Sequence, residues 1–588
     1  MQLIIRDLIY RSPLYYVLMA ACLAGGLASC SKDNPSDDPT PTLSVDNEEI
    51  TLNATNASSV QLTVPAGVSW KATHNSPWLN VTPAEGTGSG QLSFKFNDLG
   101  YRAVSSVINV TIMTNSGSAT VKVTLPTPAN QKPAATTAAV YPTNNATDVS
   151  TELRFVWKEA VDPDGDKLTY ILEYSTDQET WTTVGASQGI KSTGYADGSK
   201  TLTPETKYYW RVTSWDMFGE KSDPSETFSF TTGSAAAGTW TDGEARLYQD
   251  NTNGSSDAFT IIVSGDGFTA DDMKPGGHWD QVSVRAIESL FTNVEPYKTY
   301  RPYLRIWRVA AISNESGISD KSGGTETPCS TLKDTKFGTM YDNISSSAWC
   351  GLYDDSYPGQ PGKTLDDAWD IIRPSLPDGT TDENCALIIL MNVSHYNGTV
   401  NYYSQSKRTT GFVCLSPGAT GTMQGFENVF VHEVGGHAIG HLADCYTRAS
   451  TITSAKVQQT LQYQSLGWYL NVDVTGQKET CPWSFIFRAP EYNAYYSAVG
   501  LYEGARSHNK GIWRSESISC MNDNRFYYDA ASRYAIVKQL KESAGETINW
   551  KDFVNKDYDR ANANTGTRAE QIVPYNFLPL PEPTIIDK

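Results

Sequence analysis

The spacing of apolar residues along the chain predicts regions of different architecture. Between positions 43 and 127, apolar and polar residues alternate in short runs such as Val60–Val64, Leu92–Phe96 and Val107–Ile112. A period of two is the pattern of a strand with one buried face, and the Gly and Asn clusters between the runs indicate turns. We therefore predict a small antiparallel β-sandwich over residues 43–127.

A second all-β region follows a linker that is marked by prolines at positions 126, 128 and 133. The indole of Trp157 is expected to fill the core of this region. The stretch Leu202–Val212 resembles the tyrosine-corner strand of fibronectin type III domains, with Tyr208 as the corner residue. The resemblance predicts a fibronectin type III-like β-sandwich over residues 131–233.

The third region, residues 243–588, mixes strand and helix patterns. Phe259–Val263, Leu304–Val309 and Cys385–Met391 are short apolar runs of the kind found in buried strands, whereas His278–Leu290 has helical spacing. Strands that alternate with helices predict a mixed sheet covered by helices. The predicted fold class is multidomain, with two N-terminal all-β sandwiches followed by an α/β (α+β) domain.

The first residues carry the pattern of an export signal. Arg6 and Arg11 precede an apolar run, Leu14–Leu27, which is too short for a comfortable membrane span. The small residues before Cys30 resemble a lipobox, which implies cleavage before Cys30 and acylation of that residue. The alternative is an ordinary signal peptide, over residues 1–29, followed by an incidental cysteine.

An acidic, polar tether over residues 30–42 follows the signal and has little apolar surface to bury. Its sequence is similar to the export signal that sends Bacteroidetes lipoproteins to the outer face of the outer membrane. The resemblance predicts an outer membrane lipoprotein, exposed on the cell surface and held by its lipid without a spanning segment.

Composition narrows the classes of partner. The net charge of -19, without a basic cluster, argues against nucleic acid, and 588 residues exceed what one hydrophobic core usually serves. We expect a monomer. Seven cysteines follow Cys30, an odd number that leaves at least one thiol unpaired within the chain. Their pairing is left open for the following positions: Cys329, Cys350, Cys385, Cys414, Cys445, Cys481 and Cys520.

Three of the seven histidines fall in one stretch, HEVGGHAIGHLADCY, over residues 432–446. They are His432, His437 and His441, with Glu433 and Asp444 among them. Imidazoles and a carboxylate around one Glu are what a catalytic zinc site needs: three ligands, an open position and a base. The alternative is a helix whose histidines are only solvated or hydrogen-bonded. The clustering favours a metal site.

The spacing of the histidines leaves two geometries open. Zinc-protease motifs place two histidines four apart on one helical face, whereas His432 and His437 are five apart, about 140° from each other on a regular helix. A π-bulge at Gly435-Gly436 would bring the two onto one face. A regular helix would instead align Glu433, His437 and His441.

The motif resembles that of the IgA-peptidase family of metzincin-like zinc metalloendopeptidases. Other stretches of the third region resemble the same family: Gly265–Thr269, Ile306–Val309, Gly500–Gly504, Gly511–Arg514 and Ser519–Asn524.

The resemblance implies zinc as cofactor and a set of roles. His432 and His437 would be ligands, Asp444 the third ligand, Glu433 the general base and Met521 the residue of the Met-turn beneath the metal.

Two departures from the family pattern keep an alternative open. The motif has an extra glycine, and Cys445 stands where the family usually has an acid. His441 is a third histidine that the family does not usually have at this position. We therefore keep it as the alternative third ligand.

The first region also has a family resemblance. Val68-Ser69-Trp70 and the stretch Trp78–Gly90 are similar to the BACON domain of Bacteroidetes surface proteins. Such a module implies either glycan contact or a spacer between enzyme and membrane.

The leading interpretation is a cell-surface zinc endopeptidase that hydrolyses host or dietary proteins or glycoproteins. The alternative is a glycan- or glycoprotein-binding surface protein with a degenerate, inactive peptidase domain.

Overall fold

The structure, a computed structural model, describes most of the chain from residue 42 to residue 586. The following positions in that span are excluded: 75, 77, 98–105, 127–128, 236–237, 254, 256, 321–331, 343–348, 354–361, 378–379, 381–383, 406–407, 490, 493–498 and 561–578. The signal over residues 1–29, the lipidation site Cys30, the tether up to residue 41 and Cys329 lie outside the described residues.

The first module is a sandwich of two sheets, of order β1-β3-β7-β5 and β2-β9-β8-β4-β6. Its inward side chains form one apolar core, as the alternation predicts. The strands are β1 Ser44–Val45, β2 Glu49–Thr51, β3 Ser58–Thr63, β4 Ser69–Thr73, β5 Leu79–Thr82, β6 Glu85–Thr87, β7 Gly90–Phe96, β8 Val107–Met113 and β9 Ser118–Thr124.

The second module is also a sandwich, with sheets of order β10-β12-β15 and β11-β17-β16-β13-β14. Trp157 is fully buried in its core, as predicted, and the hydroxyl of Tyr208 accepts a hydrogen bond from the Thr203 amide at 3.0 Å, which closes the tyrosine corner. The strands are β10 Ala139–Tyr141, β11 Ala146–Val149, β12 Glu152–Trp157, β13 Thr169–Ser175, β14 Thr182–Val184, β15 Gly194–Thr201, β16 Lys207–Trp215 and β17 Phe228–Thr232.

The third region is built on a seven-stranded mixed sheet of order β18-β20-β19-β24-β26-β25-β30. Strands β21, β22 and β23 form one small sheet and β27, β29 and β28 another. The strands are β18 Ala245–Gln249, β19 Phe259–Asp266, β20 Leu304–Val309, β21 Ser319–Asp320, β22 Thr339–Asp342, β23 Trp349–Leu352, β24 Cys385–Met391, β25 Gly398–Tyr403, β26 Thr409–Cys414, β27 Val472–Asp473, β28 Tyr502–Ala505, β29 His508–Arg514 and β30 Thr584–Ile586.

Helices cover this sheet, and none in the described part of the chain is long and apolar enough to cross a membrane. The α-helices are α1 His278–Asn293, α2 Tyr297–Tyr300, α3 Leu365–Ile372, α4 Phe426–Phe430, α5 Ser454–Ser465, α6 Cys520–Asp523, α7 Ala530–Ser543 and α8 Trp550–Lys556. A π-helix spans Val431–Ile439, and 3₁₀ turns span Arg301–Tyr303, Arg373–Ser375, Ile486–Arg488 and Tyr558–Arg560.

The patterns of the third region predict its central elements well. Strands β20 and β24 have the predicted bounds, whereas β19 continues past the apolar run to Asp266. The strand can continue because the buried Asp266 carboxylate accepts hydrogen bonds from the amides of Phe337, at 3.0 Å, and Thr339, at 2.8 Å.

The six cysteines described, all after residue 349, are buried free thiols.

A buried ion network joins the second module to the third region. Arg308, 1% exposed, donates to the carboxylates of Glu152, from the second module, and Asp280, from α1. Arg154 lies 3.6 Å from Glu152 and donates to the Tyr248 carbonyl. Buried charges are tolerated when they are paired in this way, so the contact fixes the second module against the sheet.

Close backbone packing accompanies the network. A Cβ at Gly198, on β15, would lie 2.6 Å from the Asp280 carbonyl oxygen on α1. Lys167 of the second module forms a 2.9 Å ion pair with Glu295. The module boundaries at residues 43–127, 131–233 and 243–588 stay predictions, although each described sheet takes its strands from one of the three regions.

Glu152→Gln is expected to destabilise the protein by about 3 kcal/mol, because it removes the negative charge that Arg154 and Arg308 share in a buried site and leaves Arg308 only Asp280. Burial alone would raise the pKa of Glu152, but Arg308 and Arg154 lower it overall, so the stabilisation is present at neutral pH and is lost as pH falls through that pKa. Urea unfolding at pH 7 measures the loss. The control is Glu49→Gln, whose exposed partner Lys122 lies at 3.2 Å; it should cost less than about 1 kcal/mol. Equal losses would contradict the network's role.

Candidate metal centre

The motif helix changes its hydrogen-bonding pattern where the histidines occur. Phe426–Phe430 is α-helical and Val431–Ile439 is a π-helix, in which the Gly440 amide donates to the Gly435 carbonyl five residues back at 3.2 Å. The predicted π-bulge at Gly435-Gly436 is therefore confirmed, and it is longer than one turn. With i to i+5 bonding, residues five apart lie on the same side of the helix.

Two buried tyrosines and a methionine support the widened helix. The hydroxyls of Tyr297 and Tyr528 donate to the carbonyls of Gly435, at 2.5 Å, and Val431, at 2.6 Å. A Cβ at Gly436 would lie 2.3 Å from the sulfur of Met521, which the structure places directly against the helix. Neither glycine leaves room for a side chain, so this packing requires both.

The π-helix brings three predicted site residues together. One ligand atom each from His432, His437 and Asp444 lies within 4.8 Å of the other two. The Nε2 atoms of His432 and His437 lie 3.1 Å and 3.4 Å from the same oxygen, Oδ1 of Asp444. All three side chains are at most 1% exposed.

The other ring nitrogens are held by backbone carbonyls. Nδ1 of His432 lies 3.1 Å from the Cys520 carbonyl and Nδ1 of His437 lies 2.9 Å from the Leu442 carbonyl. A carbonyl only accepts, so each Nδ1 carries a proton and each Nε2 is turned toward Asp444. Carbonyl partners of this kind orient histidine ligands in metal sites.

The histidines and Asp444 strongly affect each other's protonation. Burial opposes the charged forms, but the Asp444 charge raises the pKa of His437 to about 9 and the histidines lower the pKa of Asp444 to about 2. Without a metal, an imidazolium and a carboxylate therefore compensate each other at neutral pH. A cation that binds here must displace the His437 proton.

Glu433 lies in the same site but has a different environment. It is fully buried, and neither of its carboxylate oxygens has a hydrogen-bond partner among the described residues. Burial raises its pKa well above the usual range. Its side chain packs on strand β25, where a Cβ at Gly398 would lie 2.5 Å from the Glu433 Cγ atom.

The chain turns out of the helix at His441. Gly440 has a helical backbone, and a Cβ there would lie 2.8 Å from Ile536, so the position has no room for a side chain. His441 is the left-handed residue, with φ 47°. The His441 ring stacks on Trp468, with centroids 5.0 Å apart, and is not part of the cluster. The geometry therefore favours Asp444 over His441 as a ligand.

Backbone contacts present Asp444 to the two histidines. Asn471 exchanges two hydrogen bonds with Ala443, at 2.9 and 2.8 Å, and the Arg506 amide donates to the Asp444 carbonyl at 2.9 Å. The Cys445 amide donates to the Met521 carbonyl at 2.7 Å. Residues far apart in sequence thus fix the loop after the helix.

The residues present fit a divalent cation. Two imidazole nitrogens and one carboxylate are a donor set that Zn²⁺ accepts, and the adjacent Glu433 leaves two acceptor atoms unused by the protein. In the described part of the chain, Oδ2 of Asp444 also has no hydrogen-bond partner, and Nε2 of His437 has only the 3.4 Å ion-pair contact to Oδ1 of Asp444. Buried polar atoms rarely stay unpaired unless an ion or water completes them.

Three protein-family models match the chain, and one of them includes the metal cluster. Residues 249–461 match the family model described as IgA Peptidase M64, residues 140–236 that of the Rha78A-like, N-terminal immunoglobulin domain, and residues 42–128 that of the Viral BACON domain. The chain is therefore a multidomain protein in which residues 249–461 are similar to the IgA peptidase M64 family. The match indicates a peptidase domain of the metallopeptidase type, preceded by a BACON domain and an immunoglobulin-like domain.

The second module was predicted from its likeness to fibronectin type III domains, which share the sandwich architecture of immunoglobulin domains. The match to IgA Peptidase M64 includes the whole metal cluster and ends before Met521.

Comparison with other proteins adds no function. No curated protein matches the chain. Among solved structures, domains A168–A170 of titin align at 19% identity with a TM-score of 0.16, over 32% of this chain and 62% of theirs. A Bacteroides ovatus GH5 xyloglucanase in complex with a XXXG heptasaccharide aligns at 15% identity and a TM-score of 0.12, over 19% and 27%. The chain thus spans less than two thirds of the titin chain.

Asp444→Ala is expected to weaken metal binding by more than about 100-fold, because loss of a ligand should exceed the effect of losing an outer contact. His441→Ala should weaken it less than about tenfold, since the ring stacks on Trp468 outside the cluster. Titration with Zn²⁺ against a competing chelator gives both affinities, and circular dichroism verifies folding. If His441→Ala removes the metal and Asp444→Ala retains it, the ligand assignment is wrong.

Proposed function

We propose that the protein is a zinc-dependent endopeptidase that hydrolyses peptide bonds of host or dietary proteins, glycoproteins among them. The observation that carries the proposal is the convergence of His432, His437 and Asp444 beside the unpartnered carboxylate of Glu433. The similarity of residues 249–461 to a metallopeptidase family supports the reaction class.

In this proposal His432, His437 and Asp444 hold the zinc ion, and their carbonyl partners keep both Nε2 atoms turned toward it. The bound ion supplies Lewis acidity, which activates water and polarises a carbonyl group. Exclusion of water from the site strengthens every charge interaction there.

Glu433 is the general base. Its carboxylate takes a proton from the attacking water and returns it to the nitrogen of the leaving amine. In the metal-free protein burial raises the pKa of Glu433 and favours its protonated form, whereas a bound cation would favour the carboxylate that accepts the proton. Gly398 keeps the carboxylate in place, because any side chain at that position would push against it.

Tyr446 has a packing role here. Its hydroxyl donates to the Leu580 carbonyl at 2.5 Å and its ring is 3% exposed, so it is not free to stabilise an oxyanion in this conformation.

Glu433→Gln keeps the shape of the side chain and removes its ability to accept a proton, so hydrolysis should fall at least about 100-fold. About one zinc ion per chain should remain, as expected for a base that is not a ligand. Digestion of casein and immunoglobulin, with and without chelator, and elemental analysis measure the two effects. Glu427→Gln, on the same helix and paired with Arg285 at 2.7 Å, is the control with near-normal turnover. Near-normal turnover in Glu433→Gln would reject the base.

A lipid anchor at Cys30 and a position on the cell surface complete the proposal. The lipobox before Cys30 and the acidic tether support it. Cys30→Ser should release the protein from the membrane fraction or leave the precursor unprocessed. Unchanged fractionation and processing would contradict the anchor.

A further inference from the structure

A short segment near the C-terminus, residues 579–586, lies along the edge of the main sheet. Its strand β30 pairs in parallel with β25, so that Thr584 faces Asn401 and Ile586 faces Tyr403. The Ser404 amide also donates to the Ile586 carbonyl at 3.0 Å. We call residues 579–586 the strap.

The strap covers the sheet edge that leads to the metal centre. Strand β25 pairs on its other side with β26, and it begins at Gly398, against which the Glu433 side chain packs. A strand edge offers unpaired amides and carbonyls, which an extended peptide can use by adding as a further strand. A peptide on this edge would run directly toward the base.

The strap also contacts the loop that presents Asp444. The Leu580 carbonyl accepts from the Tyr446 hydroxyl at 2.5 Å, two residues beyond Asp444, and the Leu580 side chain is 3% exposed in the domain core. Glu582 forms ion pairs with Lys456, at 3.1 Å, and Arg506, at 3.6 Å. Arg506 is the residue whose amide holds the Asp444 carbonyl.

The sequence of the strap suits a bound peptide. Proline occupies positions 579, 581 and 583, alternating with Leu580 and Glu582. Each proline fixes φ and removes an amide donor, so the segment is stiff and extended before it binds and loses little conformational freedom. Beside it lies a cavity of about 290 Å³, lined in part by Trp349, Thr399 and Asn401.

We propose that the strap occupies the groove in which an extended peptide reaches the metal centre, so that the protein in this conformation is blocked by its own chain. The groove accepts a stiff peptide with a buried apolar residue and, two positions later, an acidic residue between Lys456 and Arg506. The inference rests on the proposed peptidase function, because it assigns the substrate groove of that same site.

Two variants of the protein test the role of the strap. One ends at Pro579, and the other is Glu582→Lys, which places like charges beside Lys456 and Arg506. If the strap fills the groove in about nine of ten molecules, either change should raise the apparent affinity for a peptide substrate about tenfold, seen mainly as a lower KM. Glu542→Lys breaks an exposed ion pair with Lys538 and should leave the kinetics unchanged.

Binding of the strap sequence as a separate peptide is a second measurement, and it does not require hydrolysis. A fluorescent peptide with the sequence of residues 579–588 should bind the shortened chain carrying Glu433→Gln, measured by anisotropy, and should inhibit the active shortened enzyme competitively. The same peptide with Lys in place of Glu582 should bind at least about tenfold more weakly, because it loses two charge-assisted contacts.

The outcomes separate this inference from the proposed function. Peptide binding together with no hydrolysis by any variant would support the groove and reject the peptidase. A folded shortened chain with unchanged KM, to which the peptide does not bind, would overturn the groove even if hydrolysis is normal. If the shortened chain does not fold, unchanged KM in Glu582→Lys and absence of inhibition by the peptide overturn it equally.

Discussion

The five-residue step from His432 to His437 is the constraint on which the metal centre depends. Both Nε2 atoms can meet Asp444 only if the helix between them is wider than an α-helix. Widening the helix weakens its hydrogen bonds, and Tyr297 and Tyr528 compensate by donating to its carbonyls. The packing around the helix thus follows from the need to align two histidines.

Charge burial is the second requirement of the same site. The cluster places two imidazoles and two carboxylates, Glu433 and Asp444, out of contact with water. Such a group is stable only if the charges compensate each other or a cation does so. The His437–Asp444 pair provides that compensation in the metal-free protein, which explains how the fold can tolerate the site before metal binds.

Sequence predicts the parts of this protein that depend on local pattern. Alternating strands, the tyrosine corner at Tyr208 and the apolar strands β20 and β24 follow from residue spacing. The choice between Asp444 and His441 did not follow, because it depends on the turn at His441 and on contacts from Asn471 and Arg506. The role of Gly398 was also missed: a single glycine in a strand carries no signal until its neighbour is known.

The widened helix relates this motif to the shorter zinc-protease motif of a regular helix. Removing either Gly435 or Gly436 would leave His-Glu-x-x-His, the spacing of a regular helix. One inserted residue would normally rotate everything after it by about 100° and advance it by about 1.5 Å. The π-helix absorbs this insertion locally, so Asp444 and the loop beyond keep their phase with the sheet. The motif can therefore be regarded as a one-residue insertion that the backbone has accommodated without changing the ligand geometry.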